Sequence, residues 1–197
     1  MARGRKSVRA ADHDMHPQAV LAPAGILEVD SDQLNVVFGT SRDTSDFVAD
    51  CLELWWTNRR VVYPNVHRLL VDLDNGPEIA SSRTQFMKRL VGFSDRHQLT
   101  LELAYYPPYH SKYNPIERCW GILENHWNGA LLTSVKTALK WATTMTWRGV
   151  APLVHLLDRV YETGIRLSPR LFRPIAARLE RSDSLPKWSL VIHPEPG

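Results

Sequence analysis

The chain has 197 residues, 44% hydrophobic and 23% charged, proportions that fit a globular protein and exclude a fibrous repeat or a wholly disordered tail. Its length bounds it to one domain with at most a small appendage. Twenty-four Lys and Arg against 21 Asp and Glu leave a net charge of only +3, with an isoelectric point near 9.0, so the placement of the basic residues says more about a polyanionic partner than their total does.

No apolar run approaches the ~18 residues of a membrane span, and the basic start from Met1 to Ala11 has no apolar stretch behind it, so neither a span nor a signal peptide is expected and a cytoplasmic location is. Cys51 and Cys119 stand far apart and in no metal-binding spacing, which predicts buried apolar fillers rather than a disulfide or zinc site.

Residues 1–24 read as a basic N-terminal segment carrying Arg3, Arg5, Lys6 and Arg9. Ile26 to Val29 and Leu34 to Phe38, joined by Asp30-Ser31-Asp32-Gln33, predict a hairpin. Thr44 or Ser45 can cap a helix with Phe47, Val48, Cys51, Leu52, Trp55 and Trp56 at helical spacing, where both tryptophans read as packing residues. Arg68 to Asp74 is a short apolar strand stopped by Asn75-Gly76-Pro77, which leaves Asp74 at its C-terminal end. A helix with Ile79, Phe86, Leu90 and Phe93 on one stripe follows, then a strand in which Leu99, Leu101, Leu103 and Tyr105 alternate with polar or small residues. After the aromatic loop Tyr106 to Tyr113, Asn114 and Pro115 fit the cap and first position of a helix packing Ile116, Trp120, Leu123 and Trp127. Further helices are predicted at 134–147 and 152–162. The order predicts an α/β core over residues 25–147, with a mixed sheet flanked by helices, and a helical, basic C-terminal extension over 148–197. That extension carries Arg159, Arg166, Arg170, Arg173, Arg178, Arg181 and Lys187, either a solvated face or a phosphate-binding one.

In such a layer structure the ligand site lies outside the carboxyl ends of the strands. Asp74 stands at one, and Glu117 opens the helix after the next, so the two carboxylates are expected on one rim. Oxygen ligands of this kind suit magnesium in phosphoryl transfer. Each also has an ordinary structural reading: Asp-Asn-Gly is a common turn, and Glu117 at the third helical position can close a capping box on Asn114. Between them Tyr105, Tyr106, Tyr109, His110, Lys112 and Tyr113 combine stacking planes with cationic donors, as nucleic-acid binding wants and as a loop pinned by aromatic packing also shows. Glu124 is read as a solvated residue near His126, and His13 with His16 has no further metal-ligand partner at a recognisable spacing.

The run from Leu70 to Pro77, followed by Tyr106-Pro107-Pro108-Tyr109-His110-Ser111-Lys112-Tyr113-Asn114-Pro115-Ile116-Glu117-Arg118, resembles the second and third acidic motifs of insertion-sequence DDE transposases of the ISAzo type. Thr44 to Phe47 with Trp55-Trp56, and Trp120 to Trp127, resemble the helices before the second aspartate and around the last acid. The similarity runs from about Ala11 to Trp147. It implies a ribonuclease-H-like fold, magnesium or manganese as cofactor held by Asp74 and Glu117 as catalytic residues, and DNA transposition by strand cleavage and transfer. It further implies DNA contacts from Tyr109, His110, Lys112, Tyr113 and Arg118, with transposon ends and target DNA as partners, a nucleoid-associated location, and room for a homo-oligomer. The family's first aspartate, on the first strand, has no counterpart here, so the chain resembles a transposase truncated at its N-terminus. Asp12, Asp14 and Asp72 are the residues that stand open to replace that acid, and without a replacement little or no cleavage is expected. A nucleic-acid-binding remnant without catalysis is the competing reading. An unrelated α/β enzyme or interaction module explains the pattern of elements but not the aromatic loop.

Overall fold

A computed structural model describes residues 21–107, 113–128 and 134–196. The hairpin forms with β1 at Ala22–Glu28 and β2 at Gln33–Gly39, antiparallel from Ala22 opposite Gly39 to Glu28 opposite Gln33. Helix α1, Ser45–Arg59, starts where expected: Thr44 is extended and its hydroxyl accepts from the Phe47 N–H at 3.2 Å. Strand β3 at Arg68–Leu73 and β4 at Thr100–Tyr105 pair in parallel, joined by α2 at Thr84–His97. Helices α3, Pro115–Trp127, and α4, Val135–Thr144, follow.

The C-terminal part departs from its predicted all-helical character. Residues 152–162 hold no helix but strand β5, Leu153–Leu157, parallel to β2. Leu153, Val154, Leu156 and Leu157 fit either period in so short a run, and the open edge of β2 decides for the strand. Then come α5 at Pro169–Ala176, β6 at Leu179–Arg181 and β7 at Ser189–Ile192, the last pairing antiparallel with both β4 and β6. This segment completes both sheets instead of standing outside them.

There are two mixed sheets among the described residues where one was expected, ordered β1-β2-β5 and β3-β4-β7-β6. Strand β2 is sandwiched. Its Leu34, Val36 and Phe38 pack under α3 and α4 with Cys119, Leu123 and Met145, while Val37 on the opposite face meets Phe47 and Cys51 of α1. The other part of α1, Leu52, Trp55 and Trp56, packs with α2 over Leu101, Leu103, Leu190 and Ile192 of the second sheet. Both tryptophans and both cysteines are buried, the cysteines as free thiols. One helix therefore floors both sheets.

Glu28 ties that arrangement together. Its buried carboxylate, at the end of β1, accepts hydrogen bonds from Trp55 Nε1 at 2.9 Å, Arg59 Nε and Nη2 at 2.7 and 2.8 Å, Tyr63 Oη at 2.5 Å and Asn35 Nδ2 at 3.1 Å. Burial alone raises its pKa, but these donors, Arg59 foremost, outweigh it and bring the value from 4.5 down to about 2. A depressed carboxylate pKa adds stability that is full above the unfolded value and is lost as pH falls through the folded one; here the drop corresponds to ~3 kcal/mol. Acid denaturation is accordingly expected to show a loss of about that size between about pH 5 and pH 2. Glu28→Gln, which leaves Arg59 without its partner, should unfold at lower urea at pH 7 by ~3 kcal/mol and show a flatter acid limb. Equal acid limbs for the two proteins would contradict this account.

Candidate active site

Strands β1 and β3 each have a ladder partner on one side only among the described residues, and between them runs a cavity of about 860 Å³. Val48, Cys51, Leu52 and Trp55 of α1 line it on one side, Ile116 and Trp120 of α3 on the other. The approach of α3 to β1 is close: a Cβ on Gly25 would stand 2.7 Å from the Trp120 ring, so glycine is required there.

The rim of this cavity at the end of β3 is acidic. Asp74 follows the last residue of β3 and is exposed; its Oδ1 accepts from the Gly76 N–H at 3.3 Å, the Asx turn that the Asp-Asn-Gly sequence predicts. Leu73 lies opposite Tyr105 in the ladder, and the Tyr106 N–H donates to the Leu73 carbonyl, so β4 delivers the chain to the same rim before α3 begins. Asn114 caps α3 by accepting from the Ile116 N–H at 3.3 Å. Glu117, the third residue of the helix, lines the same cavity as Asp74. It does not close a capping box: its exposed carboxylate makes no hydrogen bond or ion pair among the described residues, and the helix N-terminus favours its negative charge.

Two further acids stand here that the sequence motifs did not indicate. Asp43, in the turn between β2 and α1, has its pKa raised by burial first and then by the negative charges of Glu78 and Asp74. Glu78 is held by Arg83 through two bonds of 3.0 and 2.9 Å, and accepts from the Ser45 N–H and hydroxyl. The signal available for Asp43 was its place just past a strand parallel in direction to β3. Asp72 is exposed on β3, with its pKa raised by burial of its carboxyl. Among the described residues no three His, Cys, Asp or Glu side chains stand close enough to hold a metal ion as a group. Asp12 and Asp14 lie outside the described residues.

Of the residues expected to touch DNA, Tyr109, His110 and Lys112 lie outside the described residues. Tyr113, 62% exposed, and the exposed Arg118 flank the start of α3 beside the acidic rim. The basic C-terminal residues divide into two sets. Arg159 pairs with Asp50, Arg178 with Asp95 and Glu195, and Arg181 donates to the Pro186 and Ser81 carbonyls, so these three hold the fold together. Arg166, Arg170, Arg173 and Lys187 make no ion pair among the described residues and are available to phosphate. Glu124 is exposed on α3, and His126 bonds Thr144 instead.

The family model described as the Rhodopirellula transposase DDE domain matches residues 1–194, a span that includes the C-terminal strands. No curated protein and no solved structure matches the chain.

The two rim carboxylates contribute little to folding in this arrangement. Asp74→Asn keeps an Oδ1 acceptor for the Gly76 N–H, and Glu117→Gln removes a charge that nothing described here pairs with. Both variants should melt within ~0.5 kcal/mol of the parent in denaturant titrations, the range of exposed substitutions. A loss of 2 kcal/mol or more from either would make that residue structural.

Proposed function

The chain belongs to this family of DDE transposase domains, and on that premise we propose that it carries part of a metal-dependent site for cleaving and joining DNA; the catalytic core expected at residues 25–147 extends through the C-terminal strands β5 and β7 that complete its sheets. What supports the reading is that Asp74 and Glu117, at a strand end and a helix start 43 positions apart in the chain, line one cavity, with Glu117 making no ion pair among the described residues. The donors that the described residues offer, Asp74 and Glu117, are carboxylate oxygens, which suit magnesium or manganese. Such an ion, when bound, stabilises the attacking and leaving oxygens of an in-line displacement at phosphorus.

The chain's own part is to hold and to orient. Asp74 is fixed by its Asx turn and Glu117 by the first turn of α3, so both present oxygens without ordering a loop. Arg118 and Tyr113 stand where DNA phosphates and bases approach that rim, and Tyr109, His110 and Lys112 belong to the same aromatic stretch. Two carboxylates neutralise half of the charge of two divalent ions. A third acid completes such a site, and among the described residues no three His, Cys, Asp or Glu side chains are grouped to hold an ion. On this reading the chain is a weak metal binder and a poor catalyst unless a further acid completes the site. That same observation favours the second reading, DNA binding without catalysis, and both place the protein on the nucleoid.

Incubated with magnesium and DNA bearing the element's ends, the 197-residue chain should give little or no cleavage or joining, with any residual product removed by Asp74→Asn or Glu117→Gln. Robust cleavage that survives both substitutions would defeat the assignment, and robust cleavage that both abolish would show that the chain already holds its third ligand.

Binding should be electrostatic. Each phosphate neutralised by Lys or Arg contributes about one unit to the slope of log affinity against log salt. Titrations between 50 and 200 mM salt should lower affinity by roughly tenfold or more for every few contacts, with little sequence preference. Affinity indifferent to salt, or a footprint confined to one short sequence at physiological salt, would contradict it.

A further inference from the structure

Helix α4 turns one face to the core and carries a different chemistry on the other. Leu139 and Ala142 pack with Cys119 and Leu123 of α3 under β2. On the outer side Thr137, Trp141 and Thr144 recur at four and three residues, and Lys136 and Lys140 form the neighbouring row, four apart. These five residues line a second cavity, of about 420 Å³, a size within the range of small-ligand pockets. The indole of Trp141 is 38% exposed, yet it is held in place. His126 of α3 meets it edge to face, with ring centroids 5.4 Å apart. The Thr144 hydroxyl donates to the Trp141 carbonyl at 2.9 Å, so its oxygen accepts from His126 Nε2 at 2.8 Å, and the imidazole is fixed in turn. His126 stands nine residues after Glu117, ~14 Å along the axis of α3, so this site is separate from the acidic rim.

Both lysines sit unfavourably in the chain by itself. Like charges four residues apart on a helix repel, and Lys136 also lies in the first turn, where the helix dipole favours an anion. No acid on α4 relieves either, and neither lysine makes an ion pair among the described residues. A phosphate beside them removes both penalties. An aromatic plane supported from behind and bordered by two ammonium groups suits a single nucleic-acid strand, whose base stacks on the ring while the phosphates on either side meet the cations. We infer that α4 holds an unpaired nucleotide of a DNA strand, its base stacked on Trp141 and its flanking phosphates at Lys136 and Lys140. Inside a duplex each base already has neighbours on both faces, so duplex DNA gains only the two charges. The inference rests on DNA as the partner of this chain, and it adds a contact away from the rim that needs neither the metal nor the carboxylates.

The test measures binding of the whole chain to a strand of about twelve thymidines, within the site sizes of single-strand binders, and to relaxed closed-circular duplex, which has no end on which a ring can stack, in buffer without divalent metal. Trp141→Leu keeps apolar bulk on α4 and removes the plane; it should weaken single-strand binding by about tenfold or more and leave duplex binding unchanged. Trp141→Phe should keep most of the affinity while removing most of the tryptophan fluorescence quenching that the oligonucleotide causes. Lys136→Gln combined with Lys140→Gln should lower the slope of log affinity against log salt by about 1.4 on the single strand, at about 0.7 for each phosphate. Single-strand affinity unchanged in Trp141→Leu overturns the inference, as does an equal loss on duplex, which makes the indole a support of the helix. Quenching undiminished in Trp141→Phe overturns it as well, and that comparison decides, together with the salt slopes, if Trp141→Leu does not fold. A chain that binds duplex but not the single strand lacks this site and still has DNA as its partner, whereas binding to neither removes both. No metal is present, so the cleavage assay can fail without touching this result.

Discussion

Helix α1 is the strut on which the rest of the molecule depends. No described backbone ladder joins the two sheets. They lie side by side because α1 buries Phe47 and Cys51 against the first and Leu52, Trp55 and Trp56 against the second. Apolar packing is non-directional and would let the sheets slide along the helix; the Glu28 carboxylate, held by Trp55, Arg59 and Tyr63, supplies the direction. A buried charge tolerates no loss of its partners, so this one contact sets the register of β1 against the end of α1. The breadth of the cavity between β1 and β3 follows from that register.

At the rim the same geometry concentrates negative charge. Strands β2 and β3 both end there, β4 delivers the chain there, and α1 and α3 both begin there. Two helix N-termini favour anions, and this offsets part of the repulsion of Asp43 by Glu78 and Asp74. What remains is visible in the raised pKa of Asp43, where burial is joined by the charges of Glu78 and Asp74. Glu78 is neutralised by Arg83, and the other three make no ion pair among the described residues.

Local chemistry made much of this legible in the sequence. Thr44 and Asn114 are caps because their side chains replace the missing acceptors of a helix start, and Asp-Asn-Gly is a turn because its aspartate can bind the amide two residues on. The alternation in Leu101, Leu103 and Tyr105 revealed the strand because one face of β4 alone is buried. What depended on distant partners was not legible. Residues 152–162 read as a helix until β2 offered an edge, and β6 and β7 carry too few residues for a period to show. Glu28, the residue that organises the interior, is one acid among 21 in the sequence, and nothing local marks it. Its importance comes from three donors 27 to 35 positions away.

The division of the basic residues follows from the same topology. Because β7 pairs with β4 and carries β6 with it, the C-terminal segment lies along the second sheet, and α5 packs against α2. Acids on α1 and α2 then find their counter-ions in that segment: Asp50 takes Arg159, and Asp95 takes Arg178. A charge engaged in this way gains little from a phosphate, since it must first give up its carboxylate. Arg118 beside the acidic rim and Arg166, Arg170 and Arg173 ahead of and on α5 make no such pair among the described residues. A net charge of +3 thus says little about the local field, because several of the acids that lower the total are already paired with arginines.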